Sequence, residues 1–374
     1  MIKTNSFYKT LKKNNINFFT GVPDSLLKNI CAYISDISPK NKHIIAANEG
    51  GAVGLGIGYN LATGNIPLVY MQNSGLGNAI NPLLSLADPD VYSIPMILMV
   101  GWRGEPGKKD EPQHIKQGKI NEKLIESMDI PYFILSANSN YEKVISESVS
   151  IAKDKSCPVI LLVKKNTFEK YTLTESGFSK YALTREDAIK GVVEQMNKND
   201  IIVCTTGKAS RELFEYRKSI KHNHDCDFLT VGGMGHANQI ALAIALEKKN
   251  KKVYCFDGDG ALIMHAGSLG IIGAQKPKNF KHIIFNNGSH DSVGGQPTIG
   301  SEINLRDISL GFQYNNYFRI NSHKAIKKTF KEFKNSIGPS FLEIMITKGS
   351  RKDLGRPTIA PIDNKKDFNK KMNE

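Results

Sequence analysis

Short apolar runs alternate with longer segments that carry apolar residues at helical spacing along most of the chain. The strand-like runs include residues 43–47, 67–72, 94–100, 130–135, 159–163, 201–205, 253–256, 282–285 and 340–346. Segments between them, such as 50–62 and 141–153, have the length of helices. Strands that alternate with helices are typical of parallel sheets covered by helices, so the pattern predicts an α/β fold.

The chain has 374 residues, which is enough for two ordinary domains. Residues 164–183 lack clear periodicity, and we predict an N-terminal domain over 1–170, a linker over 171–183 and a C-terminal domain over 184–374. The polar segment 101–119, rich in glycine and proline, is predicted to be one loop. The charged end of the chain, residues 363–374, is expected to fray.

Composition narrows the class of protein. The net charge is +14, but the lysines are spread through predicted helices without an aromatic-lined basic stripe, which speaks against nucleic-acid binding. A basic nucleic-acid-binding protein on an α/β scaffold stays as the non-enzyme alternative, which salt-sensitive DNA retention would support. No stretch approaches 18 apolar residues and no signal-peptide core is present, so we expect a cytoplasmic protein without membrane contact. Five scattered cysteines without a CxxC spacing predict reduced thiols.

Two polar turns follow strand-like runs in the second half of the chain. Asp257-Gly258-Asp259-Gly260 follows one run, and Asn286-Asn287-Gly288 follows the next. Taken singly, each triplet is more often a plain turn. Taken together in a βαβ unit, they bring a carboxylate and an amide oxygen to one sheet edge, and these ligands suit Mg²⁺ or Ca²⁺. The glycines allow the backbone to approach a diphosphate closely.

This pairing resembles the metal and diphosphate motif of the thiamine diphosphate enzymes. The resemblance implies two domains of the thiamine diphosphate-binding type, with thiamine diphosphate and Mg²⁺ as cofactors. It implies that Asp259, Asn287 and the Ser289 carbonyl bind the metal. It also implies that Glu49, before a glycine-rich helix, is catalytic and hydrogen-bonds N1′ of the cofactor's aminopyrimidine. Without the resemblance, Glu49 would be interpreted as a helix cap.

Other cofactor contacts are implied by the same resemblance. Met234, within a glycine turn, would hold the cofactor in its bent conformation, although a core methionine is the alternative. His290 would be a second catalytic residue, and Gln296 would reach over the thiazolium. The remaining residues expected at the cofactor are Asn73, Gly75, Gly207, Gly233, Gly235, His236, Gly258, Gly260 and Ala261.

Nearly the whole chain resembles one group within this family, the phosphonopyruvate and sulfopyruvate decarboxylases, which have no middle domain. The similar segments are 21–28, 104–114, 206–215, 232–246 and 290–298. The resemblance implies decarboxylation of phosphonopyruvate to phosphonoacetaldehyde in phosphonate biosynthesis. Sulfopyruvate, or another 2-oxo acid in a decarboxylase or carboligase, is the alternative. It further implies a homodimer or larger oligomer with active sites at the subunit interface.

An anionic 2-oxo acid would need cations near the ends of the strands. Arg103 supplies a planar two-pronged donor, and Lys108 and His114 follow it in the polar segment. A solvated loop is the alternative for this segment. The full set of candidate substrate-binding residues is Asp24, Ser25, Arg103, Lys108, His114, Lys208, Arg211 and Gln296.

Overall fold

The computed structural model describes residues 1–174 and 181–374. Part of the predicted linker, residues 175–180, lies outside the described residues. The chain divides into two compact units, one of Met1–Ser176 with Val293–Gln296, the other of Gly177–Ser292 with Pro297–Glu374. None of the helices in the described ranges is long and apolar enough to cross a membrane.

The first unit contains a six-stranded parallel sheet in the order β2-β1-β3-β4-β6-β5. Its strands are β1 Phe19–Gly21, β2 His43–Ile45, β3 Leu68–Gln72, β4 Met96–Gly101, β5 Tyr132–Leu135 and β6 Pro158–Val163. Its helices are α1 Thr4–Lys13, α2 Lys28–Ile37, α3 Glu49–Thr63, α4 Leu76–Pro82, α5 Pro112–Glu126 and α6 Tyr141–Asp154.

The second unit contains another six-stranded parallel sheet, in the order β11-β12-β10-β9-β7-β8. Its strands are β7 Ile201–Cys204, β8 Asp227–Leu229, β9 Val253–Gly258, β10 Phe280–Asn286, β11 Asn316–Ile320 and β12 Ser340–Met345. Its helices are α7 Arg185–Val193, α8 Lys208–Ser219, α9 Ala237–Glu247, α10 Asp259–Met264, α11 Ser268–Gln275, α12 Leu305–Gly311, α13 His323–Asn335 and α14 Pro361–Met372.

Both sheets have the same topology when the strands of each unit are counted from its first strand, since each then has the order 2-1-3-4-6-5. The strand order reverses between the first and third strands of each unit. Ligands of open parallel sheets bind outside the carboxyl ends of the strands at such a reversal. The topology therefore points to the loops after β1 and β3 in one unit and after β7 and β9 in the other.

Each sheet is covered on both faces, which explains why its central strands are apolar throughout. In the first unit, Tyr70 packs with one buried cluster and its neighbour Val69 with another on the opposite face. In the second unit, Tyr254 and Cys255 divide between two clusters in the same way. Parallel strands buried on both faces appear as continuous apolar runs in the sequence. The predicted α/β class and the parallel sheets are confirmed, and all five cysteines are free and buried.

Several predicted elements were wrong in detail. The segment 101–119 is not one loop, because α5 begins at Pro112, whose fixed φ suits the first turn of a helix. The end of the chain is not frayed, because α14 packs Phe368 and Met372 into the core of the second unit. The βαβ unit predicted around the two polar turns has two helices, α10 and α11, between its strands and not one.

Candidate functional site

Asp259 begins α10 directly after β9, and only 2% of its surface is exposed. The hydroxyl of Thr298 and the backbone amide of Asn287 donate hydrogen bonds to its carboxylate. Burial raises the pKa of Asp259 to about 6. No basic side chain within the described part of the chain forms an ion pair with it. A buried carboxylate without a cation is costly, and a hard divalent cation would compensate its charge.

The side chain of Asn287 lies in a network of hydrogen bonds after β10. Its Oδ1 accepts from the Ser289 backbone amide at 3.0 Å, and its Nδ2 donates to Asp291 Oδ2 at 2.8 Å. The same Asp291 oxygen accepts from the Gly349 amide at 2.9 Å and lies 3.4 Å from Arg185 Nη1. The amide oxygen of Asn287 keeps a second lone pair, so it can also bind a cation.

Gly260 allows two side chains to converge on the first turn of α10. A Cβ atom at this position would lie 2.9 Å from His290 Cε1 and 3.4 Å from Met234 Cε, so a larger residue would clash with His290. Burial lowers the pKa of His290 to about 4, which leaves the imidazole neutral at neutral pH. Met234 is half-buried here and does not lie in the core, contrary to the core-methionine alternative.

The other candidates of the second unit occupy loops and helix starts. Gly233 and Gly235 have φ values of +64° and +84°, and the exposed His236 has its Nδ1 3.1 Å from the Gly233 carbonyl oxygen. Gly207 and Lys208 open α8 after β7. The guanidinium of Arg211 donates to the backbone carbonyls of residues 354 and 355, so these donors are occupied by the main chain. Gly258 ends β9, and Ala261 is buried in α10.

Glu49 is buried at the start of α3 in the first unit. The cap of this helix is Asn48, whose Oδ1 accepts from the Gly51 amide at 2.8 Å, so the interpretation of Glu49 as a helix cap was wrong. The Glu49 Oε2 atom accepts instead from Asn78 Nδ2 at 2.8 Å. A Cβ atom on Gly75 would lie 2.5 Å from Glu49 Oε1, so the carboxylate requires a glycine there.

Arg103 follows β4 and is tied to neighbours within the first unit. Its Nε donates to Asp110 Oδ2 at 2.8 Å, its Nη2 donates to the other Asp110 oxygen, and its Nη1 donates to Ser25 Oγ at 2.7 Å. Asn73 Nδ2 donates to the Arg103 carbonyl at 2.9 Å. Burial acts to raise the pKa of Asp110, but the hydrogen bonds from Arg103 and the Gly104 amide, together with the nearby positive charge, outweigh it and hold the pKa at about 2. The positive charge of Arg103 is therefore compensated by Asp110. The sequence did not predict this ion pair.

The remaining candidates of the first unit differ in exposure. Asp24 is fully buried after β1, and burial raises its pKa to about 6. His114 is half-buried on α5 and not in a loop, and burial lowers its pKa to about 4. Lys108 is exposed. Gln296 is fully buried, and neither of its polar side-chain atoms has a hydrogen-bond partner among the described residues. A buried amide without partners is costly unless water or a bound molecule supplies its hydrogen bonds.

Three polar residues of these clusters were not singled out from the sequence. Asp110 is one of three acidic residues in the segment 101–119, with Glu105 and Glu111, so the sequence alone could not identify it as the partner of Arg103. Asp291 follows His290 directly and could have been noted as part of the same turn. Thr298 has no local signal, because its contact with Asp259 joins residues far apart in the chain.

Comparison with known proteins gives these clusters a family. The model of the thiamine pyrophosphate enzyme N-terminal TPP binding domain matches residues 3–125, and that of the C-terminal TPP binding domain matches residues 205–344. A protein of Streptomyces viridochromogenes named phosphonopyruvate decarboxylase is 31% identical over 92% of this chain and 88% of its own length.

Two further relatives cover similar shares of the chain. A phosphonopyruvate decarboxylase of Streptomyces hygroscopicus is 30% identical over 96% of this chain and 92% of its own length. A sulfopyruvate decarboxylase of Methanosarcina acetivorans is 27% identical over 91% of this chain and 90% of its own length. Both domains and these relatives agree with the family predicted from the motifs, and the chain is an enzyme that belongs to the thiamine pyrophosphate-dependent decarboxylases of the phosphonopyruvate and sulfopyruvate type.

Proposed function

We propose that this enzyme decarboxylates 3-phosphonopyruvate to phosphonoacetaldehyde and CO₂, with thiamine diphosphate and Mg²⁺, as a step of phosphonate biosynthesis. In this reaction the bond between the carboxylate and the ketone carbon breaks, and a proton takes the place of CO₂. The observation that carries the choice of substrate is the similarity, along more than nine-tenths of the chain, to two relatives named for this reaction.

The metal site of the proposal consists of Asp259, Asn287 and the Ser289 carbonyl. Its support is the nearly inaccessible Asp259 carboxylate, which no cation of the described residues compensates. The adjacent amide oxygen of Asn287 is a second hard ligand. The diphosphate would lie against the glycines at residues 207, 233, 235, 258 and 260. Residues 207, 233 and 235 have positive φ values, and a Cβ at 260 would meet His290.

Glu49 and His290 are the catalytic residues of the proposal. When bound, thiamine diphosphate supplies an electron sink for the electron pair of the breaking carbon–carbon bond. The Glu49 carboxylate, oriented by Asn78, would hold a proton at N1′ of the aminopyrimidine. His290 is neutral at neutral pH because burial lowers its pKa, so it can either donate or accept a proton there.

The anionic group of the substrate would be bound by cations of the first unit, chiefly by Arg103. Asp110 neutralises this arginine, so a phosphonate must share or replace that carboxylate. We expect Arg103→Ala to lower kcat/KM for phosphonopyruvate roughly ten- to a hundredfold, since a charge-assisted hydrogen bond contributes about 1.5–3 kcal/mol. Pyruvate, which lacks the phosphonate, should lose little. An equal loss on both substrates would assign the arginine to the local fold.

The decisive assay measures CO₂ release from phosphonopyruvate, sulfopyruvate and pyruvate, each with and without thiamine diphosphate and Mg²⁺. The proposal requires the highest kcat/KM for phosphonopyruvate and a need for both cofactors. Faster release from sulfopyruvate would favour the alternative substrate, toward which the 27% identical relative points. The expected homodimer or larger oligomer is tested by sedimentation of the same preparation, in which an active monomer would contradict it.

A further inference from the structure

A carboxylate outside the proposed ligand set controls the orientation of the Asn287 amide. We propose that Asp291 is a positioning residue, which forces the oxygen of the Asn287 side chain, and not its nitrogen, toward the metal. This inference rests on the proposed function, because it takes Asn287 as a ligand of Mg²⁺. Neither the sequence motifs nor the similarity to relatives assigns a role to Asp291.

Three donors hold one oxygen of Asp291 in place. Its Oδ2 accepts from Asn287 Nδ2 at 2.8 Å and from the Gly349 backbone amide at 2.9 Å, and lies 3.4 Å from Arg185 Nη1. Only 9% of the Asp291 side chain is exposed, so water cannot readily replace these partners. The position of this oxygen is therefore set by the surrounding chain before any metal arrives.

Arg185 supports this arrangement from the start of α7. Its Nε and Nη2 donate to the two carboxylate oxygens of Glu212 at 2.7 and 3.1 Å, and its Nη2 also lies 3.3 Å from the Gly349 carbonyl oxygen. The guanidinium is thus fixed by a bidentate pair on α8 while it faces Asp291. A planar, always-charged donor in such a fork holds its partners with little freedom of orientation.

The chemistry of an amide explains why Asn287 needs such control. The oxygen and nitrogen of the amide are nearly equal in size, so packing alone does not decide which one faces the metal. An ionised carboxylate only accepts hydrogen bonds, and Asp291 therefore selects the NH₂ group of Asn287. The amide oxygen is then directed to the other side, where it accepts from Ser289 and keeps a lone pair for a cation. A flipped amide would present hydrogen atoms to the metal.

The test is isothermal titration of the full-length protein with Mg²⁺ in the presence of thiamine diphosphate. Asp291→Ala removes the acceptor and should raise the Kd for Mg²⁺ about 10–100-fold, the usual loss for a residue that orients a metal ligand. Asp291→Asn should stay within about threefold of the wild type, because the Gly349 amide and Arg185 still select its oxygen for the same position. Glu186→Gln is the matched control, since Glu186 pairs with Lys190 and Arg351 without touching Asn287.

Thermal unfolding of each variant without metal and cofactor separates orientation from folding. The inference is overturned if Asp291→Ala binds Mg²⁺ like Glu186→Gln, or if Asp291→Asn loses as much affinity as Asp291→Ala, which would assign the effect to charge.

If Asp291→Ala does not fold, the double exchange Asn287→Asp/Asp291→Asn tests the inference instead. In Asn287→Asp alone, two carboxylates face each other at this contact and repel, so the new ligand is turned away from its position. Asp291→Asn removes that repulsion, so the exchange should bind Mg²⁺ more tightly than Asn287→Asp alone, and weaker binding contradicts the inference. Absence of Mg²⁺-dependent cofactor binding in the wild type would instead contradict the proposed function.

Discussion

Asp24 is a carboxylate whose burial should destabilise the first unit at neutral pH. Its Oδ2 accepts from the backbone amides of Leu26 and Leu27 at 2.9 and 3.2 Å, but its Oδ1 has no partner among the described residues. The substitution Asp24→Asn keeps an oxygen for both amides and replaces the unpartnered oxygen by a neutral NH₂ group. We therefore predict that Asp24→Asn stabilises the protein at neutral pH.

The magnitude follows from the pKa of Asp24, which burial raises from 3.8 to about 6. Between these two pH values the folded state holds more protons than the unfolded state, so stability falls as the pH rises through this window. The difference of about 2.2 pKa units corresponds to about 3 kcal/mol at 1.36 kcal/mol per unit. The wild type bears this full cost above the window, but only about 0.5 kcal/mol of it at pH 4. The gain from Asp24→Asn should therefore be large at pH 7.5 and small at pH 4.

Urea unfolding followed by tryptophan fluorescence measures this gain. The single tryptophan, Trp102, is buried in the same unit as Asp24, so its emission reports on the unfolding of that unit. The control is Asp154→Asn, an exposed position on α6, which should change stability by less than about 0.5 kcal/mol at either pH. An equal gain for Asp24→Asn at both pH values, or none at pH 7.5, would refute the assignment of the cost to a buried charge.

Three further predictions concern other buried polar groups. Glu49→Gln should lower turnover roughly 10²–10⁴-fold while cofactor affinity by calorimetry stays near the wild-type value, and unchanged deuterium exchange at C2 of the bound cofactor would remove its catalytic role. Asp259→Ala should abolish Mg²⁺-dependent binding of thiamine diphosphate, so wild-type affinity in this variant would contradict the metal site. Lys281→Met should lower the free energy of unfolding by about 2–4 kcal/mol, because the buried amine donates to two backbone carbonyls at the end of α13, whereas the exposed Lys278→Met should have little effect.

The sequence predicted those features that depend on residues close together along the chain. The βαβ unit around Asp259 was found because its strands are apolar runs and its turns contain glycine. The helix α5 was missed because its first turn contains proline and its buried residues include Gly118 and Asn121, while Ile115 and Ile120 are exposed, so no apolar stripe marks it. The helix α14 was missed because Phe368 and Met372 are two apolar residues among lysines, and only their packing against the second sheet shows their role.

Side-chain pairing could not be predicted, because it depends on atoms that the fold brings together from distant positions. The sequence marked Arg103 as a free cation, but Asp110 neutralises it within the folded first unit. The sequence left Glu49 as either a helix cap or a catalytic residue. The structure rules out the cap, because Asn48 caps this helix. In each case the sequence drew attention to the residue, while its electrostatic state depended on a partner that only the fold brings into contact.

A buried carboxylate lies near the carboxyl end of a strand in each unit. Asp24 follows β1 and Asp259 follows β9, both strands that border the reversal of strand order. Burial raises the pKa of both carboxyl groups. Keeping them ionised at neutral pH therefore lowers the free energy of unfolding. Folding alone gives no reason to retain such carboxylates, since apolar residues of similar size would pack there without this cost. A role in ligand binding would explain why these carboxylates are retained. If Asp259 binds the metal, Mg²⁺ with thiamine diphosphate should raise the unfolding temperature of the wild type but not of Asp259→Ala.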